Sequence, residues 1–244
     1  MVCAALVVGA LTLTACGGSA TADASSRQSK AQLARTADSV TTANNYAGIV
    51  ARDTGANLTD VTCSGATTAN ILTTNQGSQP PQINAVNSGT DLVTITIGGN
   101  DVNYLGSMVT YSCQNSGGPN CGTVDQAAIN TALGVVGRRI ENVVNAVSYS
   151  TLLPDTGGCA GVPLTADQRV FERTVAQRLA QATITAANDT GATLVRLATA
   201  SHGHDACAAA PWVEKYKPAS GRTAYHPNEA GMKAAASLVK SALG

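Results

Sequence analysis

Residues 91–101 read Asp91-Leu92-Val93-Thr94-Ile95-Thr96-Ile97-Gly98-Gly99-Asn100-Asp101, and the fold turns on how they are read. After Asp91 the first half is apolar and β-branched, without charge, the pattern of a strand buried on both faces in the middle of a parallel sheet. The second half is two glycines, an amide and a carboxylate. A buried strand ending in Gly-Gly-Asn-Asp sets polar side chains at the carboxyl edge of a sheet, where open α/β sheets place their sites. A plain strand followed by a turn would use the same letters, since Gly-Asn-Asp is ordinary turn chemistry.

The elements around it alternate. Tyr46, Ile49 and Val50 are spaced as a helix over residues 45–53, ended by Thr54-Gly55. Residues 58–62 read as a short strand entering the Cys63-Ser64-Gly65 turn, and Gln79-Pro80-Pro81-Gln82-Ile83 breaks the chain before a short helix. Ile129, Leu133, Val136, Ile140, Val143 and Val144 predict a long amphipathic helix over residues 124–146. Thr165-Ala166-Asp167-Gln168 is a capping box opening a helix to about residue 188. A strand is expected over residues 192–197, and a closing helix over 228–243 with Met232, Ala235, Leu238 and Ala242 inward. Strands alternating with helices predict a parallel sheet with helices on both faces.

The chain has 244 residues, 44% hydrophobic and 12% charged, with formal net charge 0. This is enough for one domain with a proper core plus a leader. A balanced charge without a basic run leaves no footprint for nucleic acid. Aromatics are scarce at 3%, so Ala, Val, Leu and Ile must fill the core. The leader, residues 1–16, is an apolar run too short to span a bilayer and suits a signal segment. Its end, Leu13-Thr14-Ala15-Cys16, resembles a bacterial lipobox in which Cys16 would be lipidated and tether the protein to a membrane. Residues 17–43 begin as small, polar, linker-like sequence. Seven cysteines fit an exported chain, extracellular or at the cell surface. None forms Cys-x-x-Cys, and no histidine stands at zinc-ligand spacing from them, so no metal site is indicated. Cys113 and Cys121 flank a polar Gly-Gly-Pro loop that a disulfide would close, with Cα atoms about 5.5 Å apart.

Two further stretches complete a pattern: Asp60-Val61-Thr62-Cys63-Ser64-Gly65-Ala66-Thr67-Thr68 and Tyr225-His226-Pro227-Asn228-Glu229-Ala230-Gly231-Met232. In order and spacing, with Asn45-Tyr46-Ala47, His204-Asp205-Ala206-Cys207 and Pro211-Trp212-Val213, they resemble the secreted actinobacterial branch of the SGNH (GDSL-type) esterases and lipases. The resemblance covers residues 44–244. It implies a three-layer α/β/α sandwich with a mainly parallel central sheet, acting as a monomer on carboxylic esters such as acyl lipids, with no metal or organic cofactor. It matches Gly65 and Asn100 to the oxyanion donors and His226 to the general base. It pairs Cys159 with Cys207 and leaves Cys63 over, unless Cys3 or Cys16 reaches it. Where family members often carry an aspartate three residues before the histidine, this chain has Thr223; some members of this branch use a main-chain carbonyl instead. Before Pro154 the family has a turn and a full strand, so residues 147–153 predict a shorter helix or a truncated strand.

The nucleophile block departs from the family, because Gly-Asp-Ser is absent. Ser39 follows Asp38, but residues 30–36 do not read as a strand. Ser19 follows Gly18 at about the family's distance from Asn45, but it requires the leader to supply the central strand. A third reading is that the block is missing and both serines are incidental. Two functional classes therefore follow: a serine esterase using Ser19 or Ser39, or a non-catalytic cell-surface binding domain on the same scaffold.

Overall fold

The computed structural model describes the backbone of residues 6–8 and residues 44–143, 149–218 and 222–244. Ser19, Ser39, the lipobox cysteine Cys16 and the 17–43 segment lie outside the described residues.

Helices form where caps and spacing predict them. Helix α1, Tyr46–Thr54, begins at Asn45, whose side chain accepts from Gly48 N, and ends at Gly55 in the left-handed region. The Asn45 amide also donates to Asp60 at 2.7 Å, fastening α1 to strand β2, Leu58–Asp60. Strand β1, Leu6–Val8, pairs antiparallel with β2. Short helix α2, Thr68–Leu72, and a 3₁₀ turn, Gln82–Ala85, follow.

Residues 92–97 carry no ladder long enough to be a named strand, yet their side chains alternate as a strand's would. Val93, Ile95 and Ile97 enter one core with α3 (Tyr104–Asn115), α4 (Gln126–Leu133), α5 (Val136–Glu141) and α6 (Ala166–Thr190). Leu92 packs on a second core, made by α1 and α8 (Glu229–Leu243) with Val195 and Leu197. Thr94 turns the same way and accepts from Tyr46 of α1 at 3.3 Å. The segment thus separates two helical layers, α3–α6 on one side and α1 with α8 on the other, as the middle of a three-layer α/β/α arrangement.

Several expectations need correction. The long helix over residues 124–146 is two helices, α4 and α5, separated at Gly134-Val135. Gly134, Val135, Val136 and Gly137 are poor helix formers in succession, which interrupts the backbone without disturbing the apolar face; residues 144–148 lie outside the described residues. The strand over residues 192–197 reduces to a bridge at Val195, and Leu197–Ala200 is one helical turn, α7. In α8 the buried stripe is Met232, Ala235, Ala236 and Val239; Leu238 is only partly buried and Ala242 is exposed. Helix α3 was not foreseen, because Asn103 enters it in a left-handed conformation with no side-chain cap to mark its start. The Thr165 capping box is formed as expected and opens α6, which ends at Gly191.

Disulfides close Cys113 to Cys121, with Cα atoms 5.5 Å apart, and Cys159 to Cys207, 5.6 Å apart. Cys63, expected to be left over unless Cys3 or Cys16 reached it, is disulfide-bonded, its partner lying outside the described residues.

Candidate active site

The end of the central segment is built around Gly98, at φ +99°, a backbone region that side chains rarely adopt. A Cβ there would also lie 3.0 Å from Ile140 and 3.2 Å from Leu179, so α5 and α6 close against a bare backbone. The turn then tightens into α3, with Tyr104 N donating to Gly99 O at 2.9 Å. This presents Asn100 and Asp101 toward the neighbouring loop. Asn100 Nδ2 donates to Ala66 O at 2.8 Å. Asp101 accepts from Thr68 N at 3.0 Å and from Thr68 Oγ1 at 2.6 Å. These three bonds stitch residues 98–101 to residues 65–68, so two loops distant in sequence form one edge.

Gly65 stands on that edge at φ +80° and is exposed. Ala66 N is spent on Cys63 O at 3.2 Å, whereas among the described residues the Gly65 N–H makes no hydrogen bond. Gln76 braces the turn by donating to Ser64 O at 2.8 Å. One N–H of the Asn100 amide holds Ala66 O; the amide group has a second. Gly65 and Asn100 are thereby brought together, each with a donor to spare.

His226 is carried by a loop clamped from both sides. Val213 and Pro227 form an antiparallel bridge, Glu214 N donates to His226 O at 2.8 Å, and Asn228 N donates to Trp212 O at 2.9 Å. Asn228 also caps α8, accepting from Gly231 N at 3.0 Å. Tyr225, just before the histidine, is in the left-handed region at φ +59°, a strained conformation for an aromatic residue, and one met at functional sites. Its ring is fully buried and its hydroxyl meets Ser112 Oγ at 2.5 Å, which holds the loop from below. Burial pushes the Tyr225 hydroxyl up to about 12.

The imidazole has a defined polarity. His226 Nδ1 lies 2.8 Å from Ala224 O. A carbonyl only accepts, so Nδ1 carries the proton and Nε2 of the neutral ring is the lone-pair nitrogen. Nε2 is buried and has no hydrogen-bond partner among the described residues. Thr223 contributes its carbonyl to His226 N at 3.3 Å and no charge. The Ala224 carbonyl does what a carboxylate would do in orienting the ring, a role invisible in the sequence because any residue has one.

Tyr149 relates the two halves of the site. Its hydroxyl accepts from Gly99 N at 2.9 Å. Its ring lines a small apolar cavity of about 40 Å³ together with Tyr225 and Pro227, the neighbours of His226. Asn100 itself lines a separate, larger and open cleft of about 410 Å³, with Thr67, Thr73, Asn142 and Arg139. Among the described residues, no group of three or more His, Cys, Asp or Glu side chains is placed to hold a metal ion. Whether Ser19 or Ser39 faces His226 lies outside the described residues.

Comparison with known proteins fits this arrangement. Residues 15–234 match the GDSL-like lipase/acylhydrolase family. The chain is 35% identical over 224 residues to Lipase 2 of Streptomyces coelicolor, covering 82% of this chain and 76% of that one. It is 29% identical over 191 residues to a lipase of Streptomyces rimosus, covering 74% and 68%. Among solved structures, the extracellular lipase of Streptomyces rimosus superposes with a TM-score of 0.65 at 28% identity, covering 82% of this chain and 87% of that one. Phospholipase A1 of Streptomyces albidoflavus does so with 0.66 at 26%, covering 89% and 92%.

Proposed function

From the premise that the chain belongs to the GDSL-like lipase/acylhydrolase family and is a carboxylic-ester hydrolase of the SGNH type, we propose that it works by a serine–histidine mechanism with an oxyanion hole made by Gly65 and Asn100. The observation that carries this reading is the state of His226: Nδ1–H engaged by Ala224 O, and Nε2 buried with no hydrogen-bond partner among the described residues. A buried imidazole nitrogen without a partner costs free energy unless a reacting group uses it.

The steps follow from these atoms. A serine hydroxyl, from Ser19 or Ser39, attacks the ester carbonyl carbon while Nε2 takes its proton. The carbonyl oxygen gains the negative charge and is met by the Gly65 N–H and the second N–H of Asn100. The imidazolium, steadied by the Ala224 carbonyl, returns the proton to the departing alcohol, leaving an acyl-serine. Water, deprotonated by the same Nε2, then releases the acid. A neutral carbonyl orients the imidazolium but stabilises its charge less than a carboxylate would.

The substrates are esters of acyl lipids or short-chain acids. We infer export as well. The apolar leader, the lipobox-like Cys16 and the disulfides support it, and a relative in Streptomyces rimosus is an extracellular lipase. The test is hydrolysis of p-nitrophenyl butyrate by the whole chain and by Ser19→Ala, Ser39→Ala and His226→Ala. One serine variant and the histidine variant should lose activity together. Full activity in both serine variants would remove both serines from the mechanism.

A further inference from the structure

The turn that carries His226 is closed by His226 N donating to Thr223 O at 3.3 Å, and its third residue, Tyr225, has φ +59°. That is the sign a type II turn has at this place, where Gly or Asn is the usual residue. A type I turn, open to most residues, differs by rotating the central peptide through about half a turn. Here the central peptide joins Ala224 to Tyr225, and its carbonyl is the one 2.8 Å from His226 Nδ1. The strained conformation of Tyr225 therefore aims the carbonyl that orients the imidazole. Relaxing it to negative φ would swing Ala224 O away from Nδ1.

Something must hold that strain in place. The Tyr225 side chain is fully buried, and its hydroxyl meets the equally buried Ser112 Oγ at 2.5 Å. Its ring stacks on Tyr216, with centroids 6.3 Å apart. A large ring pinned at its far end resists rotation of the backbone that carries it. Ser112 belongs to α3, the helix that leaves the Asn100 turn, where Tyr104 N donates to Gly99 O at 2.9 Å. Tyr104 and Ser112 stand about 12 Å apart along the helix axis, at about 1.5 Å per residue. One rigid helix thus has the Asn100 donor at its foot and the anchor of the histidine loop two turns on.

We infer that Tyr225 and Ser112 are positioning residues for the general base: their buried bond keeps the Ala224–Tyr225 peptide turned so that His226 Nδ1 holds the proton and Nε2 is the nitrogen that accepts one. This rests on the serine–histidine reading and adds to it two residues that touch no substrate. Thr223 brings no carboxylate to the ring, so the tautomer depends on this peptide.

The experiment compares the whole chain with Y225F, S112A, the double variant and S107A on p-nitrophenyl butyrate, and reads the His226 ring by nitrogen-15 NMR at a pH where it is neutral. Ser107 is the control: a buried serine on the same helix whose hydroxyl donates to Tyr104 O at 2.9 Å. Y225F and S112A should each lower kcat about 10-fold with KM unchanged, the factor one net hydrogen bond can hold. The double variant should be no slower than either, because both singles remove the same bond. S107A should match the whole chain. The ring should be the Nδ1–H form alone in the whole chain and S107A, and a mixture with the Nε2–H form in Y225F and S112A. Full kcat in either variant, an unchanged tautomer in both, or a loss in S107A equal to that in S112A overturns the proposal. If the whole chain hydrolyses no ester, the serine–histidine reading fails and the ring alone decides: a tautomer shift in Y225F and S112A supports the positioning role, and its absence overturns it.

Discussion

Glu172 offers a sharp test of how this core is built. It sits on α6 with 0% exposure, and among the described residues neither carboxylate oxygen has a hydrogen-bond partner. Burial raises it from the ordinary value of 4.5 to about 8; nearby Ser107 opposes this only weakly, because its hydroxyl donates to Tyr104 O at 2.9 Å. The group is therefore protonated in the folded chain at neutral pH and ionised in the unfolded one. The folded state binds the extra proton, so the stability it confers is complete below about pH 4.5 and is lost as pH rises through about 8. At about 1.4 kcal/mol per pH unit the whole rise corresponds to about 5 kcal/mol, an upper bound because relaxation and water entry soften burial. Tyr104 and Tyr225 are raised too, chiefly by burial, but their contributions are lost only above about pH 10, outside this window. Denaturant unfolding of the whole chain at pH 5 and pH 9 should show a fall of up to about 4 kcal/mol, the part of that rise lying between the two pH values, that Glu172→Gln abolishes. The comparison is between pH slopes, since glutamine would itself leave a buried amide unsatisfied. Equal slopes in the two proteins would refute the claim that Glu172 is buried without a partner.

Other consequences are more local. Gly231→Ala would drive a Cβ to 2.2 Å from Trp212 O, a backbone atom on the strap holding the His226 loop; thermal unfolding should show a loss of about 3 kcal/mol or more. Asn100→Ala should lower turnover of a simple ester about 100-fold with little change in KM, because the lost donor acts on the transition state. Replacing Cys159 and Cys207 together by Ser should cost about 4 kcal/mol in urea unfolding, the loop-closure expectation for a sequence separation of 48. Thr165→Ala should cost about 1 kcal/mol by removing the capping box of α6.

The parts legible in the sequence were those that one residue type can signal alone. Thr165 marked a helix start by its capping box, and apolar spacing marked the helices that Asn45 and Asn228 turn out to cap. The uncharged, β-branched run over residues 92–97 signalled burial on two faces, and the side chains divide between two cores as that pattern requires. Features carried by the backbone or by tertiary approach stayed hidden. The Ala224 carbonyl that orients His226 has no sequence signature. The ion pair of Arg139 with Asp101 has no sequence signature either, since it depends on how α5 packs beside the Gly98 turn. Tyr149 lay in the short 147–153 segment, and its bond to Gly99 N follows from tertiary placement. The break at Gly134-Val135 could have been weighed from propensity, but the apolar period runs through it unchanged.

The central claim is that His226 activates a serine. It is tested most directly by incubating the folded chain with a fluorophosphonate probe and locating the adduct by mass spectrometry. The account predicts one adduct, on Ser19 or Ser39, that disappears in His226→Ala although that variant remains folded. A folded chain that takes up no probe, or one labelled equally well without His226, would contradict it.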